Sequence, residues 1–247
     1  SSPCIDAGTP DTSTLGVPPM DIAGNPRVHA CVIDMGAYEN QEAAGGLITR
    51  DTIWSSDTVY VHCDVEIADT TTLSILPGVT VLFMGHYAIN VQGRLLALGA
   101  PGDSVRFTPA DTAIGWGGIR FNHTPAGNDS SIMEYCILEY ARRSSGNGGG
   151  VYLSAVDKLR ISFSSILNCE SDTIFGSGGG IYMDHSSPVI THNALSGNEA
   201  FFGGGMYLFE SSPVLAHNTL SGSKAIAGGG MLLDDHSSPE MTNNTLS

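Results

Sequence analysis

Two places in this sequence bring acids and bases close enough together to suggest chemistry. The first is a set that recurs along the chain: Asp184 and His185, then Glu210, then Asp235 and His236, each group standing just before a Ser-Ser-Pro or Ser-Ser phrase. An imidazole beside a carboxylate can move a proton or hold a divalent ion. A solvated turn is the simpler reading of the same residues, and the preferred one, because Asp, Ser and His are common in turns. The second place is Asp157, Lys158 and Arg160. A base next to a carboxylate there is the one point at which to look for sugar-lyase chemistry. A third set offers contact rather than catalysis. Tyr182 and Tyr207 sit at matching places in two copies of one phrase, with Phe209 two residues after Tyr207, and an aromatic strip of the three can pack on sugar rings. Their plainer reading is outward strand residues that cover a sheet.

Those matching places come from an internal repeat. Glycine triplets fall at 148–150, 178–180, 203–205 and 228–230, at intervals of 30, 25 and 25. The Ser-Ser-Pro phrase begins at Ser186, Ser211 and Ser237, and Asn193, Asn218 and Asn244 follow at intervals of 25 and 26. A fixed period of this size marks a stacked architecture in which each unit touches only its neighbours. The runs inside each unit, such as "IYM", "PVIT" and "NALS", are too short for a helix and read as strands separated by turn residues. Three short strands per unit make one coil of a parallel β-helix, with successive coils one strand spacing apart, about 4.8 Å.

Stacking puts like residues above one another. Ile181–Met206–Met231 and Leu195–Leu220–Leu246 are expected as interior columns. Asn193–Asn218–Asn244 is expected as a ladder of inward amides at a bend, each bonding backbone and stacked neighbour. The glycine triplets supply corner angles. Pro188, Pro213 and Pro239 open strands, where a missing N–H costs least. A further column, His192–His217–Asn243, reads as a packed or outward strand position.

The phrase "GGGIY…SSPVITHNALSGN" resembles the repeat of right-handed parallel β-helix proteins of the pectate-lyase-like superfamily, of the bacterial cell-surface or secreted type. The resemblance covers residues from about 130 to the end. The fold class expected is therefore all-β, a right-handed single-stranded parallel β-helix, or solenoid, with atypical N-terminal coils. Residues 47–122 resemble the opening coils of bacterial surface β-helices: Leu73, Ile75, Val79, Val81, Phe83, Ile89, Val91, Leu96, Leu98, Val105 and Phe107 are expected to line the interior. Residues 123–247 form the regular coils. Residues 1–40 resemble the segment that closes such a helix, so they either end a preceding unit or cap this one, with 41–46 as linker. The chain reads as a piece of a longer, tandem protein.

For polyuronate lyases of this superfamily the resemblance implies a calcium-binding carboxylate cluster and a basic residue beside the sugar; for its hydrolases, clustered Asp residues on adjacent coils. Apart from Lys158 and Arg160, the regular coils hold few basic residues, and Asp234 and Asp235 are sequence neighbours whose side chains diverge. No cofactor is expected, with Ca2+ the ion to consider.

The chain has 10 Lys and Arg against 25 Asp and Glu, a formal net charge of -15. Nucleic acid and anionic membrane need clustered basic charge, so neither is expected as a partner. No apolar run is long enough to span a bilayer. Five cysteines occur without a C-x-x-C spacing, which speaks against structural zinc. Cys4 and Cys31 offer a disulfide within the first segment, and Cys136 and Cys169 read as buried small hydrophobes. The function expected is a non-catalytic extracellular or cell-surface module, a spacer or adhesin contacting polysaccharide or other surface proteins, with end-to-end self-association possible. The alternatives are a lyase or glycosidase with a groove on one sheet, and a glycan-binding module without turnover.

Overall fold

A computed structural model describes residues 8, 18–23, 30–31, 33, 36, 43–122, 124–125, 127–172 and 174–247. Among them there is no helix, and hence none long and apolar enough to cross a membrane. Every pairing between strands is parallel, and the coils stack as a right-handed β-helix.

Each regular coil has three faces. The first carries Ile119–Asn122, Val151–Ser154, Ile181–Asp184, Met206–Phe209 and Met231–Asp234, each hydrogen-bonded to the next. The second is a sheet of eight strands, from Thr52–Trp54 to Glu240–Thr242. The third runs from Thr80–Phe83 to Thr245–Leu246. The long strand Thr58–Ile67 joins the first and third faces, because its first half pairs with Thr80–Phe83 and its second half with Ile89–Val91.

The register stacks the columns as the period implies. Ile181 pairs with Met206 and Met206 with Met231; Leu195 pairs with Leu220 and Leu220 with Leu246. Interior positions alternate with outward ones, and Val151, Leu153, Ile181, Met183, Met206 and Leu208 are fully buried. In the opening coils Trp116 is buried, stacks on Phe83 with ring centroids 4.1 Å apart, and donates its indole N–H to the Glu139 carbonyl at 2.9 Å.

One stretch has the opposite phase to that expected. Leu95 and Ala97 face the interior, opposite Leu73 and Ile75, while Leu96 and Leu98 face outward. In "RLLAL" every position after Arg94 is apolar, so the side-chain pattern cannot choose a phase. Pairing decides it, since a one-residue slip turns every side chain to the other face.

The expected linker 41–46 also differs. Ala43–Ile48 is a strand paired with Thr58–Ile67, so Ala43–Gly46 belong to the sheet. Most of the expected closing segment 1–40 lies outside the described residues. Of its described residues, Cys31 forms a disulfide with Cys63 in the Thr58–Ile67 strand. Cys4–Cys31 is therefore not the pair, since one sulfur makes one bridge.

Candidate functional site

The corners of the coil determine what its outer surface presents. Between the first and second faces, Ala155, His185, Glu210, Asp235 and His236 have φ between 30° and 55°. Between the second and third faces, Tyr135, Phe163, His192, His217 and Asn243 have φ between 49° and 58°. Positive φ is uncommon for residues other than glycine, and Asn, Asp and His tolerate it best. One residue in this conformation bends an extended chain sharply and lets the next residue turn inward.

After Ala155 and Tyr135 the inward residues are Val156 and Cys136; after the other bends the chain turns a serine or asparagine inward, and these are hydrogen-bonded. Asn218 Nδ2 donates to the Ile190 carbonyl at 2.8 Å and to Asn244 Oδ1 at 3.0 Å, and Asn218 Oδ1 accepts from the Asn193 N–H at 3.0 Å. Asn193 Oδ1 accepts the Ser164 N–H at 2.9 Å, extending the ladder one coil beyond the asparagines. A serine ladder lies at the first corner: Ser186 accepts the Val156 N–H, Ser211 that of Ser186 and Ser237 that of Ser211, at 3.0, 3.0 and 3.1 Å. Ser186 and Ser211 are fully buried. A third ladder runs through Asn198, whose Oδ1 accepts the Cys169 N–H at 2.9 Å and whose Nδ2 donates to the Ile166 carbonyl at 3.0 Å. Sequence reading took the serines for turn residues and passed over Asn198. The signal was present, since Asn198 and Ser223 stand 25 apart, but the residue type changes between coils.

The outward residues of the first corner come together. His185 Nε2 lies against Glu210 Oε2, and its Nδ1 is bonded to Asp184 Oδ1. His236 Nδ1 is 2.6 Å from Asp235 Oδ1. Ligand atoms of Glu210, Asp235 and His236 all lie within 4.8 Å of one another. The hydrogen bond to Asp184 raises the His185 pKa above the ordinary imidazole value; desolvation opposes the rise, and the Glu210 and Asp184 charges add to it. The hydrogen bonds keep the expected His185–Glu210–His236 column: His185 donates its N–H to the carbonyl of Phe209, the residue before Glu210, and Glu210 donates its N–H to the carbonyl of Asp235, the residue before His236. Asp235 is the extra residue that lengthens this interval from 25 to 26.

The aromatic strip is not on the surface. Tyr182 and Tyr207 are 9% and 8% exposed, which overturns their expected role as an open sugar platform. They stack with Tyr152, and the Arg120 guanidinium sits over the Tyr152 ring at 4.4 Å. Gly148, Gly178 and Gly203 pass against the Cα or Cβ atoms of Tyr152, Tyr182 and Tyr207, leaving no room for a Cβ of their own. Burial pushes the Tyr182 phenol up to about 12. Burial and a hydrogen bond donated to Asp234 raise Tyr207 further. Desolvation pulls Arg120 down to about 10, with repulsion from Arg143 adding, which leaves it charged at neutral pH. Phe209 is half-buried, with its edge toward the His185 ring.

Asp157, Lys158 and Arg160 are each engaged in separate contacts. Asp157 Oδ1 accepts the Ser187 N–H at 2.9 Å, Lys158 Nζ donates to the Asn128 carbonyl at 3.0 Å, and Arg160 pairs with Glu134 at 3.9 Å. Two groupings go beyond the expected columns. The first extends the outward His192–His217 column to Phe163 and the half-buried Tyr135, with successive ring centroids from Tyr135 to His217 5.1, 4.8 and 4.6 Å apart. The second is a pocket bordered by His86, Ile114, Arg142, Arg143, Ser144 and Glu170. Arg142 pairs there with Glu170 at 3.3 Å, while its Nε is buried without a hydrogen-bond partner. These residues are far apart in sequence, so no periodic signal pointed to the pocket.

No curated protein and no solved structure matches the chain. The family model described as "Right handed beta helix region" matches residues 118–247, more than half of the chain. With every strand pairing parallel and the coil register kept to the last strand, this chain belongs to the right-handed β-helix family.

Proposed function

We propose that the chain is a non-catalytic extracellular module, a rigid spacer whose coils present an outer surface to polysaccharide or to other surface proteins. One observation carries this reading. The polar residues that recur with the period, Asn193, Asn218, Ser186 and Ser211, are buried and spent on coil-to-coil hydrogen bonds. The repeat is thus under a structural demand, which is what a rod requires. The Cys31–Cys63 disulfide supports an oxidising, extracellular setting, because such bonds persist there.

Incubation with a panel of polyuronates and neutral polysaccharides tests the reading, with unsaturated products followed by absorbance and chain cleavage by reducing ends. No product is expected. Turnover that persists through purification and is lost in Lys158→Ala/Arg160→Ala would replace the spacer reading with a lyase.

A second reading, glycan contact without turnover, is favoured by the pocket that sets Arg142 and Arg143 beside His86 and Glu170, two arginines together in a strongly acidic chain. Retention on an acidic polysaccharide that falls in Arg143→Ala supports it. Equal retention of the variant removes it.

A further inference from the structure

The first corner places two imidazoles and two carboxylates on three successive coils. We infer that Glu210, Asp235 and His236, joined by His185, form a binding site for one divalent transition-metal ion of the Zn2+ type. The inference is independent of the spacer reading, since a rod can carry an ion or lack one.

Three observations converge. Ligand atoms of Glu210, Asp235 and His236 already lie within 4.8 Å of one another, so an ion can touch all three after small side-chain rotations. His185 turns its Nε2 toward the same Glu210 carboxylate; it stands outside the group of three and becomes a fourth donor by a side-chain rotation toward the ion. Its other nitrogen is held by Asp184 Oδ1. A carboxylate on the far nitrogen is how metal-binding histidines are oriented, and it fixes which nitrogen carries the free lone pair.

The donor set selects the ion. Two imidazoles with two carboxylates suit Zn2+, Ni2+ or Cu2+, whereas Ca2+ and Mg2+ prefer oxygen ligands alone and in larger number. Four donors also match the tetrahedral preference of Zn2+. The backbone contributes as well. Glu210, Asp235 and His236 sit at corners with φ of 44°, 30° and 38°, anchored by the serine ladder beneath them. The extra residue in this coil brings both Asp235 and His236 into the corner, where the preceding coil contributes only Glu210. The insertion thus makes a site that identical coils would lack.

The test is calorimetric titration of Zn2+ into the full chain after dialysis against a chelator, with Ca2+ and Mg2+ as competitors. One ion per chain is expected, undiminished by either competitor. Glu210→Gln/His236→Ala should weaken uptake at least about tenfold, with an unchanged far-ultraviolet circular dichroism spectrum. His192→Ala/His217→Ala, which removes the other stacked imidazoles, should leave uptake intact. No Zn2+ uptake, equal uptake by Glu210→Gln/His236→Ala, or loss only in His192→Ala/His217→Ala overturns the assignment. Should the first double variant misfold, His236→Ala alone gives the same reading, because that side chain is 85% exposed.

Discussion

The rings of Tyr182 and Tyr207 lie 5.5 Å apart at an interplanar angle of 6°, yet both are closed off from solvent. Both point outward from the sheet, so strand alternation alone would leave them exposed. Gly178 and Gly203 pass against the base of each side chain, and the rings of the column stack face to face from Tyr152 to Tyr207. They act as a second, external layer of core on the first face, with Asp234 accepting a hydrogen bond from Tyr207.

Alkaline pH should destabilise the fold. Burial raises Cys136 and Cys169 from 9.0 to about 12 and Tyr182 from 10.0 to about 12. Folded pKa values above the unfolded ones mean that the unfolded chain loses its protons first. The stabilisation is complete below pH 9 and falls as pH rises toward 12. Urea midpoints measured at pH 8 and pH 10.5 should show the drop; equal midpoints would contradict the burial of these groups.

The two thiols should also be inert. Cys136 and Cys169 are buried, and thiolate is the reactive form. Ellman's reagent at pH 8 should titrate neither in the native protein and both in guanidinium. Reaction of either at the native stage would place it outside the core.

The asparagine ladder should be costly to break. Asn218→Leu leaves the buried Asn193 N–H without its acceptor and removes a second bond to the Ile190 carbonyl. A loss of about 1–3 kcal/mol is expected for each buried group left unsatisfied. Chemical denaturation measures it, and an unchanged midpoint would remove the ladder from any stabilising role.

The two serines of one phrase should behave differently. Ser211 is buried and accepts the Ser186 N–H, while Ser212 is exposed. Ser211→Ala should cost about 1–3 kcal/mol, and Ser212→Ala less than about 0.5 kcal/mol. Similar costs for both would count against the serine ladder.

Two glycines separate crowding from backbone strain. A Cβ at Gly204 would stand 2.4 Å from the Lys224 carbonyl oxygen and 2.7 Å from that of Gly229. Neighbouring coils must part to admit it. At Gly222 a Cβ meets nothing, and only its φ of +60° resists. Gly222→Ala should cost about 1–2 kcal/mol, and Gly204→Ala clearly more. The reverse order of melting temperatures would contradict the coil register.

The sequence by itself determined that the chain coils, where each coil begins, and which residues stack. A fixed period of 25 carries that information, because parallel in-register stacking requires like residues above like, as in Leu195, Leu220 and Leu246. It also brought Asp184, His185, Glu210, Asp235 and His236 to one corner, since all five precede the same phrase. Tertiary structure decided what faces water and what pairs with what. Tyr182 and Tyr207 point outward yet are buried, which side-chain alternation does not encode. The phase of Leu95 and Leu96 was settled by pairing with Leu73, because neighbouring leucines give hydrophobicity no preference. Cys31 found Cys63 rather than Cys4, and the Arg142 pocket drew residues from coils far apart in sequence. Such contacts between unlike residues have no period, so only the folded chain reveals them.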